Sequence, residues 1–137
     1  MKIGKILIAG LAVSVFSAIF AGATCGYLFS WVYKLEPTNI WKPMQAAPGI
    51  KFHLVELILN IILAMVYALF YKGLAGKNKF TKGIVFGLCV WAVGMLPGIF
   101  STYSFMTVAT GVIIYWTLLG LIEAPIKGII ISVIYGE

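Results

Sequence analysis

Residues 52–71 read FHLVELILNIILAMVYALFY, and within them only His53, Glu56 and Asn60 interrupt a continuous apolar run. About 20 such residues, rising 1.5 Å each, match a hydrocarbon core ~30 Å thick. In lipid every backbone polar group needs a partner inside its own segment, so the run is expected to be a helix. Three more runs of the same kind lie at 3–33, 84–105 and 112–135. The fold class expected from this is all-α: a polytopic membrane protein, residues 1–137 forming one domain of four transmembrane helices in a bundle.

The composition agrees. The chain is 62% hydrophobic with a mean hydropathy of +1.06. A soluble domain of 137 residues has too little interior to hide that much apolar surface. All ten basic residues are lysine and all four acidic residues are glutamate. Without arginine there is no bidentate clamp for phosphate or carboxylate. The net charge of +6 does not imply nucleic acid, because most lysines flank the spans, where they meet lipid headgroups. Cys25 and Cys89 fall inside apolar runs, so they read as buried packing rather than a disulfide framework.

Lys2 and Lys5 before an apolar stretch, with Ala21-Gly22-Ala23 after it, imitate a signal peptide. The run continues through Tyr33, too long for a signal core, and is expected to remain as an uncleaved first span. Lys2, Lys5, Lys72, Lys77, Lys79 and Lys82 lie on one side of the spans, against Lys34, Lys42 and Lys51 on the other. The positive-inside rule then places both termini and the 72–82 loop in the cytoplasm. Residues 34–51, with Pro37, Pro43 and Pro48, are expected to be extended or turned. Pro97 is expected to break or bend span three near its outer end, and Pro125 to kink span four. Where span four begins within 99–111 is left open by the sequence.

Small residues recur every fourth position in span one, at Gly10, Ser14, Ala18, Gly22, Gly26 and Ser30. They do so again in span four, at Gly120, Ala124, Gly128, Ser132 and Gly136. Positions four apart share a helix face, and small faces let backbones approach closely in lipid. Spans one and four are therefore expected to pack tightly, against each other or against a copy of the chain.

Polar residues mark two faces. His53, Glu56 and Asn60 lie three and four apart on span two, and Glu123 and Lys127 lie four apart on span four. Intramembrane ionisable groups are costly and usually face an interior or a water path. A candidate polar or ion site therefore comprises His53, Glu56, Asn60, Glu123 and Lys127, pairing two carboxylates around a proton or cation. The competing account is structural. Glu56 reaches interfacial water, and Glu123 and Lys127 neutralise each other. Leu54-Val55-Glu56 and Leu121-Ile122-Glu123 are similar words. Lys5-x4-Gly10-Leu11-x-Val13 and Lys82-x4-Gly87-Leu88-x-Val90 are too, as a two-plus-two duplication would produce.

Phosphate loops, nucleophile elbows and zinc spacings are absent from the sequence, so no catalytic, cofactor-binding or metal residues are assigned. A lone His-x-x-Glu is a weak metal signal, and one histidine excludes a bis-histidine haem within this chain alone. Trp91 and Trp116 read as packing residues.

Residues 82–123 resemble a group of small four-span bacterial membrane proteins, in the Lys-Gly start of span three, the Gly-x-x-Pro near its end and the Gly-Leu-Ile-Glu of span four. The resemblance implies a bacterial inner-membrane protein and no activity. The expected function is a non-catalytic accessory or scaffold subunit, its partners being lipids and copies of itself or other membrane subunits. The alternative is a small transporter or channel for a proton, cation or small solute using the intramembrane glutamates.

Overall fold

The computed structural model describes residues 2–41 and 49–136, and among these residues it contains helices and no strands. Four helices are long and apolar enough to cross a membrane: α1 (Ile3–Leu28), α2 (Ile50–Phe70), α3 (Lys79–Phe105) and α4 (Thr110–Tyr135). A 3₁₀ turn, Ser30–Lys34, follows α1 and carries the chain out of it. Lys42, Pro43 and Pro48 of the first loop lie outside the described residues.

Local chemistry sets several helix ends. Asn78 caps α3, its side-chain oxygen accepting from the backbone N–H of Thr81 at 2.9 Å. Gly136 ends α4 at φ 78°, a left-handed conformation that a residue with a Cβ resists, and its N–H donates to the Ser132 carbonyl. The start of α4, open in the sequence, falls at Thr110. Its 26 residues rise ~39 Å, so α4 crosses a ~30 Å core tilted or stands proud of it.

Pro97 differs from expectation. Pro97 does not end or break span three, which continues to Phe105. A π turn at Trp91–Met95 loosens the hydrogen-bond ladder just ahead of it, and Pro97 then sits in the first turn of the α segment Leu96–Phe105. There its missing N–H is tolerated. Pro125 lies inside α4 without ending it.

The helices pack in an uneven ring. α1 packs on α2 and on α4, α3 packs chiefly on α4, and α2 and α3 scarcely approach each other. One core lies near the end that carries Lys2, Lys5 and the loop after α2, here called the lysine end. It joins Ile6, Ala9 and Val13 of α1 to Ala64 and Tyr67 of α2, Phe86 of α3, and Ile131 and Tyr135 of α4. A second cluster at the far end gathers Val32, Val112 and Tyr115, with Tyr33, Trp41 and Trp116 edge to face around them.

The small-residue faces do not meet each other as the sequence implied. On α1, Gly10 faces α2: a Cβ there would lie 2.8 Å from the Ile61 Cα. Ser14 accepts from the Asn60 amide at 3.0 Å and donates to the Gly10 carbonyl at 2.9 Å. Gly22 and Gly26 have open space beside them, Ala18 is exposed, and Ser30 lies beyond the helix. On α4, Gly120, Ala124, Gly128 and Ser132 turn to α3. A Cβ on Gly87 would collide with the Ala124 carbonyl, and one on Gly128 with the Gly83 carbonyl. A Cβ on Gly83 would lie 2.6 Å from the Ser132 hydroxyl, and one on Gly120 2.7 Å from the Met95 methyl. The partner of the α4 stripe is thus Gly83-x3-Gly87 on α3, a short motif in plain view that the longer stripes overshadowed. α1 and α4 do pack on each other, and Ile6, Ala9 and Val13 of α1 share a core cluster with Ile131 and Tyr135 of α4.

The two halves cap each other. Lys5 Nζ on α1 donates to the Tyr135 carbonyl closing α4, at 3.0 Å, and Lys82 Nζ on α3 donates to the Tyr71 carbonyl after α2, at 3.1 Å. Lys5 and Lys82 occupy matching positions in the repeated Lys-x4-Gly-Leu-x-Val words. Exchanging α1 with α3 and α2 with α4 turns one of these hydrogen bonds into the other.

Candidate functional site: an apolar-walled cavity with charged borders

Because α2 stands away from α3, a cavity of about 680 Å³ lies between α2, α3 and α4. α2 turns Glu56, Leu59, Asn60 and Leu63 into it, spacings of three, four and seven that define one helix face. α4 contributes Glu123, Ala124, Lys127 and Gly128, and α3 contributes Phe86, Gly87, Val90, Gly94 and Met95. The glycines and alanine keep the α3–α4 wall thin, while Leu63, Phe86, Val90 and Met95 make most of the surface hydrocarbon.

Glu56, Asn60, Glu123 and Lys127 therefore border one space. Lys127 Nζ and Glu123 Oε1 form an ion pair at 2.6 Å, with side chains about a fifth exposed, 22% and 20%. Glu123 sits midway along α4, some 20 Å from Thr110 by helix rise, so this pair is far from either end of the helix. Glu56 lies six residues after Ile50, ~9 Å into α2. Asn60 is buried, 6% exposed, and spends its amide on Ser14 of α1, so it ties two helices together as well as facing the cavity.

His53 does not join them. It borders a separate groove between α1 and α2, with Leu11, Ser14 and Ala18, and its side chain is half exposed. Its Nδ1 lies 3.6 Å from Glu56 Oε2, and Glu56 borders both spaces. Among the described residues no group of three or more His, Cys, Asp or Glu side chains comes together to hold a metal ion.

Sequence reasoning missed the apolar wall. Phe86 forms the floor, its ring edge to face with Tyr67 of α2 at 5.2 Å, where α2 and α3 meet. Met95 is set against Gly120 by the π turn, which also lets the Trp91 indole donate to the Thr117 carbonyl of α4 at 3.2 Å. No local motif marks these residues; their membership follows from which helices are neighbours. Cys25 accepts from the Tyr115 hydroxyl at 3.6 Å in the far-end cluster, and Cys89 is exposed on α3.

Fold and cavity together describe four packed helices long and apolar enough to span a membrane, with an apolar-walled cavity that Glu56, Asn60, Glu123 and Lys127 border. No family model, curated protein or solved structure matches the chain.

Proposed function

We propose that this protein is a small, non-catalytic membrane carrier for a cation or small solute, and that Glu56 and Glu123 bind what it carries. The observation behind this reading is the shared cavity: residues 67 positions apart in sequence, Glu56 and Glu123, border one space within the bundle. Ionisable groups inside a membrane are expensive and mark a ligand or ion path by default. Lys127 neutralises Glu123, so Glu56 is left as the carboxylate available to a positive ligand. In this reading the lysine end faces the cytoplasm of a bacterial inner membrane, by the lysine bias and by the resemblance noted for residues 82–123.

The test is flux in proteoliposomes made from the purified full chain. Glu56→Gln is expected to abolish uptake of the transported cation and Glu123→Gln to reduce it at least about tenfold; uptake unchanged in both variants sinks the proposal. A second reading, a scaffold subunit of a homo-oligomer or larger complex, draws on Gly22 and Gly26 of α1, beside which the described residues leave open space. Gentle extraction from native membranes separates the two. A large particle containing other subunits favours the scaffold, and a particle of this chain alone favours the carrier.

A further inference from the structure

The cavity is bordered by α2, α3 and α4. Two of these, α2 and α3, join at the lysine end, where Tyr67 meets Phe86 and Lys82 reaches the Tyr71 carbonyl. Elsewhere the two helices scarcely touch, and the cavity lies between them and α4. Its volume of about 680 Å³ suits an organic molecule, small-molecule sites running from about 300 to 1,000 Å³.

The lining selects among positively charged ligands. A small hydrated cation gains little from walls of Leu63, Phe86 and Val90, since giving up its water for one carboxylate in apolar surroundings is unfavourable. A cation whose charge is spread over an apolar body loses far less hydration, and each Å² of apolar surface that it buries contributes about 25 cal/mol. Aromatic and sulfur-bearing walls, Phe86 and Met95, also favour such a body. By formal charge the cavity holds Glu56, Glu123 and Lys127, and the last two pair at 2.6 Å. One negative charge remains, on Glu56, which borders both the cavity and the α1–α2 groove. The neighbouring His53, counted as neutral, faces the other groove.

The geometry points to a lipophilic monocation as the ligand of this cavity, entering sideways from the bilayer between α2 and α3, with its charge on Glu56 and its apolar body against Phe86 and Val90. This rests on the cavity being the functional site, as proposed above, and adds the ligand's class and its route.

The experiment uses the full chain in lipid nanodiscs with radiolabelled tetraphenylphosphonium as probe. Saturable binding is expected, weakened at least about tenfold by Glu56→Gln. Tetramethylammonium, which has the charge without the body, and triphenylphosphine oxide, which has the body without the charge, should each compete at least about tenfold more weakly. Gly94→Leu should also abolish binding, because Gly94 borders the cavity with open space beside it, and the new side chain would fill that space. Leu59→Trp crowds the same space from an exposed position on α2 and serves where Gly94→Leu does not fold. Binding that is non-saturable, or indifferent to Glu56→Gln, overturns the inference. If tetraphenylphosphonium fails to bind while a small cation still crosses proteoliposomes in a Glu56-dependent way, the lipophilic ligand is wrong and the carrier site stands. If Glu56→Gln leaves that flux unchanged as well, both fall.

Discussion

The seam between α1 and α4 and the seam between α2 and α3 face each other across the bundle, and an internal duplication would make them equivalent. They are not. The α1–α4 seam is packed over the Ile3–Ala21 part of α1, with Lys5 on the Tyr135 carbonyl at the lysine end and Ala9 and Val13 in one cluster with Ile131, and Cys25 meets the Tyr115 hydroxyl toward the far end. The α2–α3 seam has the matching lysine contact, Lys82 on the Tyr71 carbonyl, and the Tyr67–Phe86 ring pair above it, and then opens into the cavity. The closed seam is made of residues that need only fill space. The open one carries Glu56 and Asn60 on its α2 side, whose polar groups are poor partners for an apolar helix. The bundle departs from the symmetry that a duplication would give at a place bordered by the charged side chains of Glu56, Glu123 and Lys127.

The largest expected effect comes from forcing apart the α3–α4 contact that forms the back wall of the cavity. Gly87→Leu puts a side chain into the backbone of Ala124 and Pro125, and no rotamer avoids a clash with main chain. We expect a loss beyond about 3 kcal/mol, read as failure to recover a monodisperse protein by size exclusion. Gly22→Leu, on the same kind of small-residue stripe but with open space beside it, should leave the elution profile and melting temperature unchanged. Equal damage from both would show that α1 has a partner there.

A smaller effect should follow from breaking the ion pair inside the open seam. Lys127→Met leaves Glu123 unpaired, with a fifth of its side chain exposed. Fully buried pairs lose about 3–5 kcal/mol on such a change, and the remaining exposure reduces this to about 1–2 kcal/mol. Thermal melts in detergent read the loss, and Glu123→Gln combined with Lys127→Met should restore most of it. No restoration would mean that the two side chains do not act as a pair.

The smallest effect distinguishes the two seams directly. Lys5→Ala and Lys82→Ala remove equivalent contacts to helix C-termini, each expected to cost about 0.5–1 kcal/mol. The Lys5 contact is backed by a packed seam and that of Lys82 by an open one. With Cys25→Ser and Cys89→Ser in the background, only Lys82→Ala should therefore speed the reaction of Val90→Cys with a lipid-soluble maleimide. An equal increase in both variants would show that the seams are alike.

The four spans, the lysine bias and the polar faces on spans two and four were legible because each is a local pattern: a hydrophobic run, a charge count, a spacing of three or four. Glu56, Asn60, Glu123 and Lys127 could be proposed as one group from such spacings, and they border one cavity. His53 shares their face by number, but its side chain lies in the groove beside α1. The pairing of small faces was not legible. Gly120, Ala124, Gly128 and Ser132 fit against α3, and Gly10 and Ser14 against α2, because a stripe of glycines states that a backbone comes close and not whose backbone it is. Pro97 misled for a related reason: the π turn that accommodates it depends on Trp91 and Met95 finding Thr117 and Gly120 on another helix.

By itself the sequence determined that this chain forms helices in a membrane, because apolar runs of about 20 residues have no other way to satisfy their backbones in lipid. Only the tertiary structure decided which helices touch, and so that a space remains between α2 and α3 with a carboxylate at its edge. Between helices in lipid there is little hydrophobic force to choose neighbours, and the choice falls to the fit of backbone against backbone, which no single helix contains.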